Sequence, residues 1–213
     1  MWQHARTVLG APLSFCVLVS GSFFSMARTA PVPEGAAPVI AQTFNQVSRL
    51  QEGTPLLLST YLTFQGSPFS DPGFSAPELQ ITGLPTAAIP YRAWRALSDA
   101  DRLTRSLSAY TILSEFLQLV QDDQRSLNPD KASLLTLLTT AQANIEGILS
   151  NLGTIMKRMG IVGPPVTDPL MAASLSISTF QKKVRGYVVC REYMNWIDRS
   201  VRDFSFLKDK YPA

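Results

Sequence analysis

From Val39 onward apolar residues recur every three or four positions, with Val39, Phe44, Val47, Leu50, Leu57, Leu58, Tyr61 and Leu62 on one stripe. That spacing is the signature of an amphipathic helix. Gly53-Thr54-Pro55 interrupts the stripe, yet the same face resumes at once, which predicts a kinked helix near 39–65 or two abutting pieces. Periodicity then vanishes between Gly66 and Arg95, where Pro68, Pro72, Gly73, Pro77, Gly83, Pro85 and Pro90 crowd in. A loop that long must cover the length of a helix, so that the next helix runs parallel to the first. Phe69, Phe74, Leu79, Ile81, Leu84 and Trp94 are its candidate anchors.

Ser98-Asp99-Ala100-Asp101 reads as a capping-box variant, followed by a stripe of Leu103, Leu107, Tyr110, Leu113, Leu117 and Val120. This predicts a second helix near 98–126. Asn128-Pro129 reads as a start signal for a third near 129–159, which carries Leu134, Leu138, Ile145, Ile148, Leu152 and Ile155 and stops at Gly160. After a second proline-rich connection, Gly163 to about Ser176, the stripe Phe180, Val184, Tyr187, Cys190, Met194, Ile197, Val201 and Phe204 predicts a last helix near 177–209. Such a helix is about 45 Å long. Long, short and long connections between four helices predict an all-α, long-chain bundle with up-up-down-down topology in a single domain, 28–213.

The first 27 residues differ from the rest. His4 and Arg6 precede an apolar and small-residue stretch, Val8 to Phe24, and then Ser25-Met26-Ala27. This layout predicts a signal peptide, cleavage after Ala27 and secretion to the extracellular space. Cys16 falls inside the signal and leaves Cys190 alone, so no internal disulfide is expected. Cys190 lies on the apolar stripe and reads as a small buried hydrophobe. The chain has no Asn-x-Ser/Thr sequon.

Of the 213 residues, 46% are hydrophobic and the formal net charge is +3. Lys182-Lys183 with Arg185 is the densest basic run, too small to predict nucleic-acid binding. His4 is the single histidine, so a mature chain lacks an imidazole for general-base or metal chemistry. The carboxylate pairs Asp99/Asp101, Asp122/Asp123 and Asp198/Asp203 read as helix ends and charged faces. No enzyme activity, metal or cofactor is predicted. A secreted bundle carrying an apolar ligand is the alternative, and an enclosed cavity is the feature that would mark it.

The start of the last helix offers a different kind of site. Phe180 and Lys183 are three residues apart and therefore share one helix surface. They read either as an interface anchor, with a ring for desolvated area and a cation for orientation, or as a first core layer with a solvated flank.

Several long segments carry a resemblance. They are Gln65–Leu79, Leu119–Gln124 with Leu127-Asn128-Pro129, Arg185-Gly186-Tyr187 through Arg191-Glu192-Tyr193, and Arg199 to Lys210. In these the chain resembles the interleukin-6-type cytokines of the cardiotrophin, ciliary neurotrophic factor and leukaemia inhibitory factor branch. The resemblance implies a monomeric neurotrophic cytokine that assembles a receptor complex and activates JAK-STAT signalling. It implies that a Phe-x-x-Lys motif, here Phe180 and Lys183, engages the leukaemia inhibitory factor receptor. Glycoprotein 130 is expected on the exposed faces of the first and third helices. An alpha receptor, expected to be ciliary neurotrophic factor receptor alpha, is expected on the first loop and the C-terminal part of the last helix. An arginine of that third surface falls on Arg199, a second on Ser205, and Arg202 lies close enough to compensate.

Overall fold

The computed structural model describes residues 35–165, 168, 170 and 177–213. Its helices are α1 (Ala36–Gln65), α2 (Tyr91–Arg95), α3 (Asp99–Leu127), α4 (Ala132–Arg158) and α5 (Thr179–Lys210). All described residues belong to one compact unit, 31–213. The expected signal segment 1–27 and most of the second proline-rich connection lie outside the described residues.

Pro55 does not end α1, which runs unbroken through it. A proline lacks the N–H that would bond the carbonyl four residues earlier. Here that carbonyl belongs to Gln51, and the Thr54 hydroxyl donates to it at 3.2 Å. The repair is local, so the apolar stripe keeps its register on both sides.

The helix starts differ in detail from the sequence signals. Ser98 caps α3 by accepting from the Asp101 N–H at 3.0 Å. Asp101, one methylene shorter than the Glu of a full capping box, accepts from the Ser98 hydroxyl at 2.7 Å instead of reaching the backbone. Asn128 does not start α4. Its N–H donates to the Gln124 carbonyl at 2.8 Å and its amide to the Gln124 side chain at 2.7 Å, so it closes α3, and α4 begins after Lys131. A full capping box does open α5, between Ser178 and Gln181.

Cross-helix bonds fix the directions. Tyr61 meets Lys183, and Gln51 meets Asp198, so α1 and α5 are antiparallel. Gln46 meets Asn151 while Gly35 meets Arg158, so α1 and α4 are antiparallel as well. Gln142 with Ser114 and Thr139 with Gln121 make α3 antiparallel to α4. Tyr110 with Ser200 and Asp123 with Arg185 do the same for α3 and α5. With α1 and α3 both opposed to α4 and α5, the bundle is up-up-down-down. Ile40, Leu113, Leu138, Ile148, Val189 and Ile197 are among the fully buried core side chains, and Cys190 is buried with them.

The first loop is held to α5 over most of its length. A segment without regular structure has backbone groups that need partners once it leaves water. Polar groups on α5 supply them. The Tyr187 hydroxyl accepts from the Ala76 N–H at 3.1 Å, and Arg191 donates to the carbonyls of Ala76 and Leu79 at 2.8 and 2.7 Å. Glu192 accepts from the Ala87 N–H at 3.3 Å, and the Trp196 indole donates to the Pro85 carbonyl at 3.0 Å. Apolar anchors hold the loop as well, since Phe69 is buried and Phe74, Leu79, Ile81 and Leu84 pack against the core. A pocket of about 590 Å³ opens between the loop, α1 and α5, lined by residues including Leu58, Phe74, Leu84 and Val188. It lies outside the bundle core, on the loop side.

Candidate receptor-contact surfaces

The N-terminal end of α5 is placed by contacts with α1 and α3. Gly186 lets α1 approach closely: a Cβ there would lie 2.0 Å from the Tyr61 phenolic oxygen. That hydroxyl donates to the Lys183 carbonyl at 3.0 Å and accepts from the Gln124 amide at 3.3 Å. Gln65 donates to Gln124 at 2.9 Å. Below this layer Arg185 and Asp123 form a buried ion pair at 2.5 Å, joined by Lys182 at 3.3 Å from the same carboxylate. Burial pushes the Tyr61 phenol well above its ordinary pKa, with the Cys190 and Asp123 charges adding to the shift. Tyr61 is therefore a neutral hydrogen-bonding strut.

On this base stand the two residues of the motif. Phe180 is the second residue of α5 and is 57% exposed, so it is not a core layer. Its ring lies 5.7 Å from that of Phe69 in the first loop. The Lys183 ammonium donates to the Gln65 carbonyl. Gln65 is the last residue of α1, whose final turn has no basic residue of its own. Lys183 thus supplies from another helix the cation that the negative end of α1 favours. The result is an exposed ring beside an oriented positive charge, with Lys182 alongside. This arrangement can take a partner that offers an apolar pocket edged by carboxylates.

The other residues singled out from the sequence lie near the far end of α5, about 29 Å along the axis by helical rise. Arg199 is 3% exposed. Its guanidinium lies 4.6 Å from the Trp196 ring centroid, donates to the Ala87 carbonyl at 3.4 Å and sits 3.5 Å from Asp203. Burial lowers its pKa from the ordinary arginine value, and the Asp203 charge opposes that shift. Arg202 is exposed and Ser205 half-buried.

Asp203 is the hub of this end. It pairs with Arg102 of α3, whose guanidinium lies against the edge-to-face pair of Trp94 and Phe206, 5.0 and 4.8 Å from their ring centroids. It also accepts from the Trp94 indole at 2.6 Å, so α2 is fastened to α3 and α5 through one carboxylate. Arg102 and Asp203 carried no distinguishing sequence signal as a pair. A buried arginine on the apolar side of α3 becomes meaningful only beside its partner, 101 residues away. Among the described residues no group of three or more His, Cys, Asp or Glu side chains is placed to hold a metal ion.

Comparison with known proteins adds sequence relatives. The family described as plethodontid receptivity factor PRF matches residues 13–213. Cardiotrophin-2 of Mus musculus is 47% identical over 183 residues, covering 84% of this chain and 90% of the relative. Cardiotrophin-2 of Pan troglodytes is 43% identical over 203 residues, covering 95% and 98%. Cardiotrophin-1 of Homo sapiens is 33% identical over 177 residues, covering 79% and 84%.

Proposed function

The chain belongs to the cardiotrophin branch of the interleukin-6-type cytokines, and from that premise we propose that it is secreted and acts by holding glycoprotein 130 and the leukaemia inhibitory factor receptor together. It performs no chemistry of its own. Separate patches on one rigid bundle bind separate receptor chains, and occupancy of one raises the local concentration of the next. Their cytoplasmic kinases are thereby brought close enough to start JAK-STAT signalling, with neuronal survival or differentiation as the outcome.

The observation that carries this reading is the exposed Phe180 ring next to the anchored Lys183 ammonium, assigned to the leukaemia inhibitory factor receptor. Glycoprotein 130 takes the outward faces of α1 and α4. There Gln46 and Asn151 are bonded at 2.9 Å across a groove that also includes Arg49 and Asn144. Ciliary neurotrophic factor receptor alpha takes the first loop and the C-terminal part of α5. Arg202 meets it directly, while Arg199 acts by holding Ala87 of the loop in place.

The test is binding of the purified protein to immobilised ectodomains, presented singly and together. Phe180→Ala with Lys183→Ala is expected to weaken leukaemia inhibitory factor receptor binding by about 30-fold or more, as loss of a hot spot does. Glycoprotein 130 binding and helical content stay nearly unchanged, and signalling is lost. A folded double variant that keeps full affinity for the leukaemia inhibitory factor receptor would refute the assignment of the end patch.

A further inference from the structure

We infer that the buried Phe69 of the first loop is a positioning residue that orients the Phe180 ring for its receptor. This rests on the reading of Phe180 as a receptor contact. Phe180 is the second residue of α5, the described residues just before the helix, 177 and 178, are not helical, and Phe180 is 57% exposed. An isolated side chain in that position exchanges rotamers, and binding must then freeze one of them.

Phe69 supplies the missing wall. It is only 2% exposed and so is not itself available to a partner, yet its ring lies 5.7 Å from Phe180 with the planes tilted by 45°. Phe69 is held in turn by Phe74 at 5.1 Å and by Tyr187 at 6.4 Å. Phe74 meets Tyr187 edge-on at 5.2 Å, and the Tyr187 hydroxyl is tied to the Ala76 N–H. The chain of rings therefore begins and ends on α5, with the loop bridging two helical turns of it. The loop backbone between them is closed by Ser70 N–H to Gly66, Asp71 N–H to Pro68 and Phe74 N–H to Asp71 bonds. The Lys183 ammonium bonds the Gln65 carbonyl just before this segment, so residues 65–69 orient both members of the motif.

The experiment is a double-mutant cycle read by binding to immobilised leukaemia inhibitory factor receptor and glycoprotein 130 ectodomains. Phe69→Leu keeps an apolar side chain under Phe180 but removes the ring. It is expected to weaken binding to the first receptor about two- to tenfold, the range of an aromatic pair. Binding to glycoprotein 130 is expected to stay within about twofold, because α1 and α4 are unaltered, whereas a general loss of structure affects both receptors. In the Phe180→Ala background Phe69→Leu is expected to have no further effect, since nothing remains to position. An equal loss in both backgrounds, or none in the wild-type background, overturns the positioning role while leaving Phe180 as the contact. A Phe180→Ala variant with undiminished receptor affinity overturns the contact itself, and the positioning role with it.

Discussion

Replacing Asp203 with alanine should be the most damaging single change at the loop end of the bundle. Asp203 is 1% exposed and faces two guanidiniums, Arg102 at 0% and Arg199 at 3% exposure. It also accepts the Trp94 indole proton at 2.6 Å. Asp203→Ala leaves Arg102 buried without its counter-ion, a defect that costs about 3–5 kcal/mol. The lost indole bond adds about 1 kcal/mol. For a chain of this size each kcal/mol shifts Tm by about 2–4 °C, so a fall of about 8–24 °C is expected. Calorimetry measures the shift, and hydrogen exchange locates it. Faster exchange should appear first at the Ala96 and Leu97 amides, whose bonds to Arg92 and Trp94 close the end of α2. Arg202→Ala, at an exposed position, is the control and should stay within about 0.5 kcal/mol. A Tm within about 2 °C of wild type for Asp203→Ala would show that this carboxylate does not hold the loop.

Gly186→Ala places a Cβ 2.0 Å from the Tyr61 phenolic oxygen and forces α1 and α5 apart. Overpacking of this kind costs about 1–3 kcal/mol, and a Tm fall of about 2–12 °C is expected by calorimetry, despite alanine's better helix propensity. An unchanged or raised Tm would mean that Tyr61 moves aside freely. Burial pushes both the Cys190 thiol and the Tyr193 phenol up to about 12, from ordinary values of 9.0 and 10.0. The unfolded chain then releases these protons at lower pH than the folded one, so their contribution is intact below pH 9.0 and declines as pH rises toward 12. Urea titrations at pH 8 and 11 should show this loss; equal stability at both would contradict it. Thiol alkylation of Cys190 at pH 8 should track unfolding, because the thiolate is the reactive form.

What the sequence determined by itself was the set of four long helices. Apolar residues at three-to-four spacing, such as Leu113, Leu117 and Val120 or Ile145, Ile148 and Leu152, must share a face to leave water, and this requirement is local. The lengths of the connections limited how four such faces could meet, and the up-up-down-down arrangement follows. Phe180 and Lys183 were legible as a pair for the same reason, since three residues on a helix fix their adjacency. Tertiary structure decided which side chains face solvent and which bind the loop. Arg199 and Arg202 are three residues apart and chemically alike, yet one is buried over Trp196 and the other is exposed, because the loop covers only one of their two positions. The α2 turn has five residues, too few for a stripe, and is held by Trp94 through Asp203, 109 residues further along the chain. The wall behind Phe180 is equally distant, since Phe69 reaches it only after the loop returns to α5. Periodicity records what a helix must bury. It carries no information about which backbone carbonyl will need an arginine once a loop without regular structure is laid against that helix.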